Sequence, residues 1–398
     1  MSAPAPGGAD RLPGRRTVLR AGVGAAALTG LGWGAGSLYA ATAREDRSGG
    51  DRPVRIGYLP ITDAAPLLVA HANGYYDDAA VPVAEPVLFR SWASLSEAFV
   101  AGKVDAIHML MPMALYMRYG LGADVRITAW NHTNGSSLTV RPDVAELGDL
   151  AGESVAIPAW WSIHNVVVQK MLRAAGLTPV MREAPSARDR TVALLPMAPA
   201  DMLPALNNGV IGGYVVADPF NAAAEAREVG HIHRFLGDVW RDHACCVTML
   251  RGELIRDRPG AAGGFMDALV RAQAWARANR PETAAALARD YLPQPKPVIL
   301  QALTYDAAAH AGALEHPSWH GERLDFRPFP YASFTEELVR SMQETVVDAP
   351  AGFLAGLDPA RAHRELVDDT LVTRSIARAG GLGVFGLTGT TRTEEIRP

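Results

Sequence analysis

Lysine and cysteine are almost missing from this chain of 398 residues. Only Lys103, Lys170 and Lys296 are lysines among 38 basic residues, so the counter-charge for a bound anion would fall to arginine, with Arg90 nearest to an expected binding loop. The two cysteines, Cys245 and Cys246, are neighbours. That excludes a disulfide framework, and a disulfide between adjacent residues closes a strained ring far from the preferred geometry. Two reduced, buried thiols or a functional pair remain open. No repeat occurs at the roughly 20–50-residue periods of solenoids and propellers. The signatures G-x-S-x-G, G-x-x-x-x-G-K-[ST] and H-E-x-x-H are also missing, which lowers the expectation of an enzyme. The glycines between Gly22 and Gly36 follow no strand and are not a dinucleotide fingerprint. With a formal charge of −4 and no clustered basic face, neither nucleic acid nor an anionic membrane surface is expected as a partner.

The N-terminal region reads as an export signal. Gly14-Arg15-Arg16-Thr17-Val18-Leu19-Arg20 precedes an uncharged run, Ala21 to Thr42, and Ala41-Thr42-Ala43 offers a small-residue cleavage site. The paired arginines suggest the twin-arginine route. Removing residues 1–43 takes away Arg11, Arg15, Arg16, Arg20 and Asp10 and leaves a more acidic chain, expected to be soluble and extracytoplasmic (periplasm or cell surface). Beyond that signal, no run reaches the length of about 18 apolar residues needed to span a bilayer. An uncleaved helix holding a sensor ectodomain at the membrane is the alternative.

Strand and helix signals alternate along the rest of the chain, which argues for α/β architecture built from parallel βαβ units. Val54 to Leu59 reads as a strand that Pro60 stops; Thr62 and Asp63 offer cap oxygens to a helix with Pro66 in its first turn and an end near Gly74. Ser91 to Ala101 reads as a helix with a Ser94–Glu97 capping box. Val104 to Leu110, Arg126 to Trp130, Ser137 to Val140, Ser154 to Ile157, Val192 to Leu195, Gly213 to Val216 and Cys245 to Leu250 read as strands. Helices are expected at Ile163 to Ala175 with Ser162 as cap, Pro199 to Asn207, Pro219 to Val229, Ala261 to Asn279, Pro281 to Tyr291 and Phe334 to Val347. A last helix should run from Asp358 to about Ala379, and the Gly- and Thr-rich residues 380–398 should be mobile.

Several segments, in order, carry a family resemblance: Val54-Arg55-Ile56-Gly57, Thr62-Asp63-Ala64-Ala65-Pro66, Gly74-Tyr75-Tyr76, Ala101 to Asp105, Asp149 to Pro158, and Val216-Ala217-Asp218-Pro219-Phe220. The chain resembles the solute-binding proteins of ABC importers of the nitrate/sulfonate/taurine/bicarbonate class over roughly Val54 to Ala349. That likeness implies a type II periplasmic-binding-protein fold, two α/β lobes with a ligand cleft between them. It places lobe one at 54–140 and 247–349, lobe two at 141–246, and a C-terminal helix and tail at 350–398, with crossings near Val140 and Val247. It also implies ABC permease and ATPase subunits as partners, no cofactor and no covalent chemistry.

Ligands of open α/β sheets bind beyond the carboxyl ends of strands, so the polar loops there are the candidate contacts. These are Thr62, Asp63, Ser91, Trp92, Asn131, His132, Thr133, Asn134, Trp160, Trp161, Ser162, His164, Asn165 and Asp218. Helix starts among them present free N–H groups to an anion or a polar group. Adjacent tryptophans on one turn cannot both pack inward easily, so one should line the cleft, and Asp218→Ala should weaken binding with the fold intact. His243, Cys245 and Cys246 are weak metal candidates, because adjacent residues of a strand point to opposite faces. Their surroundings also resemble, with fewer cysteines, the iron-associated segment of the thiamine-pyrimidine synthases, which share this fold; such an enzyme or a pyrimidine-precursor-binding protein is the alternative to transport of a small polar molecule or anion.

Overall fold

The computed structural model describes residues 52–304, 306, 308–319 and 323–398, so the export signal lies outside the described residues. The strands are β1 (Ile56–Tyr58), β2 (Val87–Leu88), β3 (Ala106–Leu110), β4 (Val125–Trp130), β5 (Thr133–Asn134), β6 (Ser136–Val140), β7 (Ser154–Ile157), β8 (Thr178–Val180), β9 (Thr191–Pro196), β10 (Gly213–Ala217), β11 (His231–Phe235), β12 (Cys246–Arg251) and β13 (Leu324–Asp325). They form a five-stranded sheet, β2-β1-β3-β12-β4, and a six-stranded sheet, β11-β6-β10-β7-β9-β8. Strands β5 and β13 make a short antiparallel ribbon. Helices cover both sheets, which is why β3 and β10 are buried along their whole length and are apolar apart from His108 and the Tyr214 hydroxyl. The mixed α/β architecture with two sheets agrees with the expected fold class.

The sheets are not purely parallel. β1 pairs in parallel with β2 and β3, and β7 does so with β9 and β10. β12 runs antiparallel to β3 and β4, and β6 runs antiparallel to β10 and β11. Each of these two strands arrives from the other sheet over a short connection, with only the one-turn helix Leu236–Val239 before β12, and not through a βαβ crossover within its own sheet. The chain leaves the first sheet after Trp130 and enters the second at Ser136, ahead of the crossing expected near Val140; the return runs between Phe235 and Cys246.

Local differences have local causes. Helix Trp92–Val100 is capped by Ser91, whose hydroxyl accepts from the Ser94 N–H at 3.2 Å, so Ser94 is inside the helix and not its cap. Thr62, Asp63 and Ala64 form a 3-10 turn, and helix Ala65–Ala72 starts with Pro66 in its first turn but without a side-chain cap. The expected C-terminal helix is two, Pro359–Leu366 and Thr370–Arg378, interrupted where Val367 bridges to Ile127 of β4. Residues 380–398, expected to be mobile, are packed down. Phe385 is fully buried, Ile396 bridges to Trp240, and the Arg392 guanidinium lies 4.9 Å above the Trp130 ring. Glycine and threonine content misleads here because a few anchors suffice. No described helix is long and apolar enough to cross a membrane.

One buried carboxylate pins the first two core strands. Asp105, just before β3, accepts from Arg52 Nη1 at 3.1 Å, Arg55 Nε at 2.9 Å and the Arg55 backbone N–H at 3.0 Å. Burial pushes its pKa up, but Arg55 and Arg52 outweigh this and hold it below the ordinary carboxylate range. A lowered folded pKa contributes stability above the unfolded value of about 3.9 that is lost as pH falls through the folded value. Asp105→Asn should therefore cost about 3 kcal/mol near neutral pH. In urea titrations the gap to the parent should narrow between about pH 5 and pH 3; a gap independent of pH would contradict this role.

Candidate functional site

Four segments meet where the chain passes between the sheets: the 3-10 turn after β1, the loop between β4 and β6, the start of helix Ile163–Ala174, and the bend before β12. The sequence makes each of them irregular and polar. Pro60 ends β1, and Gly135 ends the β4–β6 loop in a left-handed conformation, φ +81°. A Cβ at Gly135 would lie 2.5 Å from Leu324 Cδ1, so glycine suits both this backbone angle and the close approach of Leu324. Ser162 caps its helix by accepting from the Asn165 N–H at 3.1 Å, as expected.

Asp63, His132, His164, Cys245 and Cys246 converge here, all but fully buried. His132 Nε2 is 2.9 Å from Asp63 Oδ2. The same carboxylate oxygen takes Cys246 Sγ at 3.4 Å and Cys245 Sγ at 3.6 Å. The two sulfurs are 4.0 Å apart. Strand alternation would have sent them to opposite faces, but Cys245 sits in a bend outside β12, and both turn inward. His164 Nε2 lies 3.8 Å from Cys245 Sγ and 2.9 Å from Ser136 Oγ. Ser136 is a neighbour that the sequence reading missed, although it stands one residue beyond the loop singled out.

The electrostatics follow from burial and from these few partners. Burial lifts Asp63 to about 6 against the downward pull of His132. Burial alone would lower His132, but the Asp63 carboxylate overrides it and raises the imidazole to about 10. Burial raises the Cys245 thiol, yet Cys246 and the His164 and His132 imidazoles outweigh it, so Cys245 is held well below the usual thiol range. Cys246 is pushed well above it by burial and by its neighbour Cys245. The site thus favours one thiolate and one thiol around an imidazole–carboxylate pair. Beside it, burial drops His108 to about 3 and His243 to about 4, leaving both neutral.

Other expected contacts are occupied with holding the structure. Asn131 donates through Nδ2 to the Asp63 carbonyl and accepts from Thr248 Oγ1 at 2.9 Å. Thr62 Oγ1 donates to the Asp218 carbonyl at 2.8 Å. Thr133 is buried and bridges to Ala244. Asn134 adopts φ +59° and donates weakly to Asp242 at 3.4 Å. Asn165 links the Trp160 carbonyl to the Gln169 amide. Trp92 is buried edge-on to His108, with ring centroids 5.4 Å apart. Of the tryptophan pair, Trp161 is buried, stacked on Tyr116 at 5.6 Å and edge-on to Phe353, while Trp160 is half-buried. His243 stays outside the cluster, its Nδ1 paired with the Trp240 carbonyl at 2.9 Å.

Asp218, expected as a ligand contact, is engaged in a buried ion pair. Arg323 grips it with two bonds, Nε to Oδ2 at 2.6 Å and Nη2 to Oδ1 at 3.0 Å, and Oδ1 also accepts from the Ala222 N–H. Both side chains are completely buried, and Glu225 takes the remaining Nη1 at 3.3 Å. Three donors occupy the carboxylate, and the sequence could not show this because Arg323 lies 105 residues away. Asp218→Asn should therefore lower stability by about 3–5 kcal/mol, since it strands a buried guanidinium. Chemical denaturation checks this, and a loss below about 1 kcal/mol would remove Asp218 from the folding core.

The comparisons with known proteins come to one family. A model of the NMT1-like family matches residues 48–290. The nitrate/nitrite binding protein NrtA of a Nostoc species is 25% identical over 242 residues, covering 56% of this chain and 53% of that protein. The chain spans about half the length of the curated relatives it matches. Among solved structures, the periplasmic nitrate-binding protein NrtA from Synechocystis PCC 6803 aligns with TM-score 0.70 and 19% identity, covering 85% of this chain and 92% of that one. A ligand-binding component of an ABC-type import system from Staphylococcus aureus aligns with TM-score 0.63 and 22% identity, over 82% of this chain and 99% of that one. These likenesses show a periplasmic-binding-protein fold.

Proposed function

The chain belongs to the NMT1-like family, and from that premise we propose that it is the substrate-binding component of an ABC importer, exported by the twin-arginine route and delivering a small polar molecule to a permease–ATPase complex. The observation that carries this reading is the meeting of the two sheets. They are joined by the crossings at 131–135 and 236–245, and the buried polar groups converge beside those crossings. Two sheets on two connections can hinge, and a ligand that touches both stabilises the closed form for a permease to recognise. Asp63 and His132 would contact the ligand from the first-sheet side, and His164 with the capped start of its helix from the second.

The chemistry narrows the ligand class. The groups acting on Asp63 are His132, Cys245 and His164, and the nearby Arg323 is committed to Asp218 and Glu225. A bare anion would meet a buried carboxylate, so a polar molecule that brings its own hydrogen-bond donors suits the site better than nitrate does. Binding and release need no covalent step, and the thiols need no redox partner for it.

A thermal-shift screen with nitrate, bicarbonate, an alkanesulfonate and a pyrimidine, run with EDTA present, tests this. The donor-bearing pyrimidine should stabilise the chain, by about 2.7 kcal/mol at 100 times its Kd, and His164→Ala should abolish the shift; a shift with nitrate alone would contradict the donor argument. No response to any of the four classes would overturn the ligand reading. For export, the mature chain is expected to begin after Ala43, and replacing Arg15 and Arg16 by lysine should retain the precursor inside the cell; mass spectrometry of the N-terminus reads both.

A further inference from the structure

To the Asp63 and His132 side chains that the importer reading assigns to an organic ligand, the cluster between the sheets adds two thiols which that reading leaves unused. Asp63, His132, Cys245 and Cys246 come from three separate segments, each offers one ligand atom, and these atoms all lie within 4.8 Å of one another. We propose that the four side chains form a binding site for one thiophilic divalent metal ion, for which Zn2+ is the probe.

The distances suit a tetrahedron. Zinc bonds of about 2.3 Å to sulfur and about 2.0–2.1 Å to nitrogen or oxygen give ligand–ligand edges of roughly 3.3–3.8 Å. Four of the six edges are 3.4 and 3.6 Å from the sulfurs to Asp63 Oδ2, 4.0 Å between the sulfurs, and 2.9 Å from His132 Nε2 to Oδ2, and the two sulfur–nitrogen edges lie within 4.8 Å. Small rotamer adjustments open the last edge and shorten the sulfur pair. The donor set decides the metal. Two sulfurs and an imidazole select borderline and soft ions, and a single carboxylate is far short of the six to eight oxygens, in round terms about a full shell, that Ca2+ takes. Four protein ligands complete the shell, so the site holds an ion and leaves no position for a reacting water.

Hydrogen bonds alone do not satisfy this cluster. His132 Nε2 is 3.2 Å from the Cys246 N–H, which donates to it, and 2.9 Å from an acceptor oxygen of Asp63. A single ring nitrogen cannot accept and donate at once. Asp63 Oδ1 and His132 Nδ1, both buried, have no hydrogen-bond partner. The lone pairs that converge are those of His132 Nε2, Asp63 Oδ2 and the two sulfurs, and they call for a proton or a cation at their centre. A metal answers all four at once and releases the thiol proton on binding. His164, 3.8 Å from Cys245 Sγ and tied to Ser136, stands next to the ligand set as a positioning residue for that sulfur.

This inference goes beyond the importer reading and does not depend on it. The test uses the full chain, reduced and stripped of metal, titrated with Co2+ and then Zn2+. Co2+ should give thiolate-to-metal charge-transfer bands and the strong visible bands of tetrahedral coordination, displaced by one Zn2+ per chain. Cys246→Ser and Asp63→Asn should each weaken Zn2+ binding at least tenfold, and the Cys245→Ser, Cys246→Ser double variant should lose the charge-transfer bands. The absence of those bands from the parent protein would overturn the proposal without reference to any variant. So would bands that persist in a double variant shown by circular dichroism to be folded. Removal of Zn2+ by EDTA within minutes would mark the ion as exchangeable cargo, and retention would mark it as a fixture of the fold; both outcomes support the site. A negative metal titration leaves the organic-ligand screen to stand or fall by itself.

Discussion

Two stretches of backbone must pass between the sheets through a buried region, and their N–H and C=O groups need partners there. They find them in each other. The Asn131 N–H donates to the Cys246 carbonyl at 3.0 Å, the Asn134 N–H to the His243 carbonyl at 3.0 Å, and Thr133 bridges to Ala244 in antiparallel fashion. The outgoing and returning crossings thus run side by side as one narrow ribbon. Its position follows from the requirement to satisfy polar backbone, and the side chains it carries are brought together as a result. His132 from one crossing and Cys245 and Cys246 from the other share a centre for this reason, with Asp63 held against them by the Asn131 amide.

A second set of buried charges fixes what surrounds that ribbon. Arg323, well beyond the last strand of the second sheet, closes on Asp218 at the end of β10, and its neighbour Leu324 pairs with Asn134 in the ribbon between β5 and β13. Asp325 gathers Arg277 and Arg327. These contacts draw a late segment of chain onto the crossing. The cost of burying ions is met by near-complete pairing, which makes the arrangement intolerant of losing a single partner. Loop geometry near the site therefore rests on residues that themselves touch no ligand.

What could be read from the sequence divides along range of interaction. The opening βα unit was legible because its punctuation is local: Pro60 and Pro66 bracket the turn, and Gly74, with φ +68°, ends the helix. The strand–helix alternation and the fold class were legible for the same reason. Helix capping was harder, because Ser91 and Ser94 both carry a hydroxyl at a plausible offset and only geometry chooses between them. Polar loops at strand ends were located correctly, but which of their side chains are spent was not visible. Asn131, Thr62 and Asp218 are consumed by partners 68 to 156 residues away. Whether the two thiols share a face depended on how regular the turn before Val247 is, which the sequence left open, and the bend at Cys245 decides it. Two short strands, Thr178–Val180 and His231–Phe235, and the helix Lys296–Leu303 passed without notice for want of strong periodicity.

The last residues of the chain bear on how far kinship reaches. The family match stops at residue 290, yet Trp130 of β4 meets Phe334 edge-on at 5.2 Å, and Trp240 donates its indole N–H to Glu394 at 2.9 Å. Arg392 sits over Trp130, Tyr331 and Phe334 together. The segment matched by the family model and the packed unit thus have different borders, and a fragment ending at residue 290 would expose the Trp130 and Trp240 rings that the later residues cover.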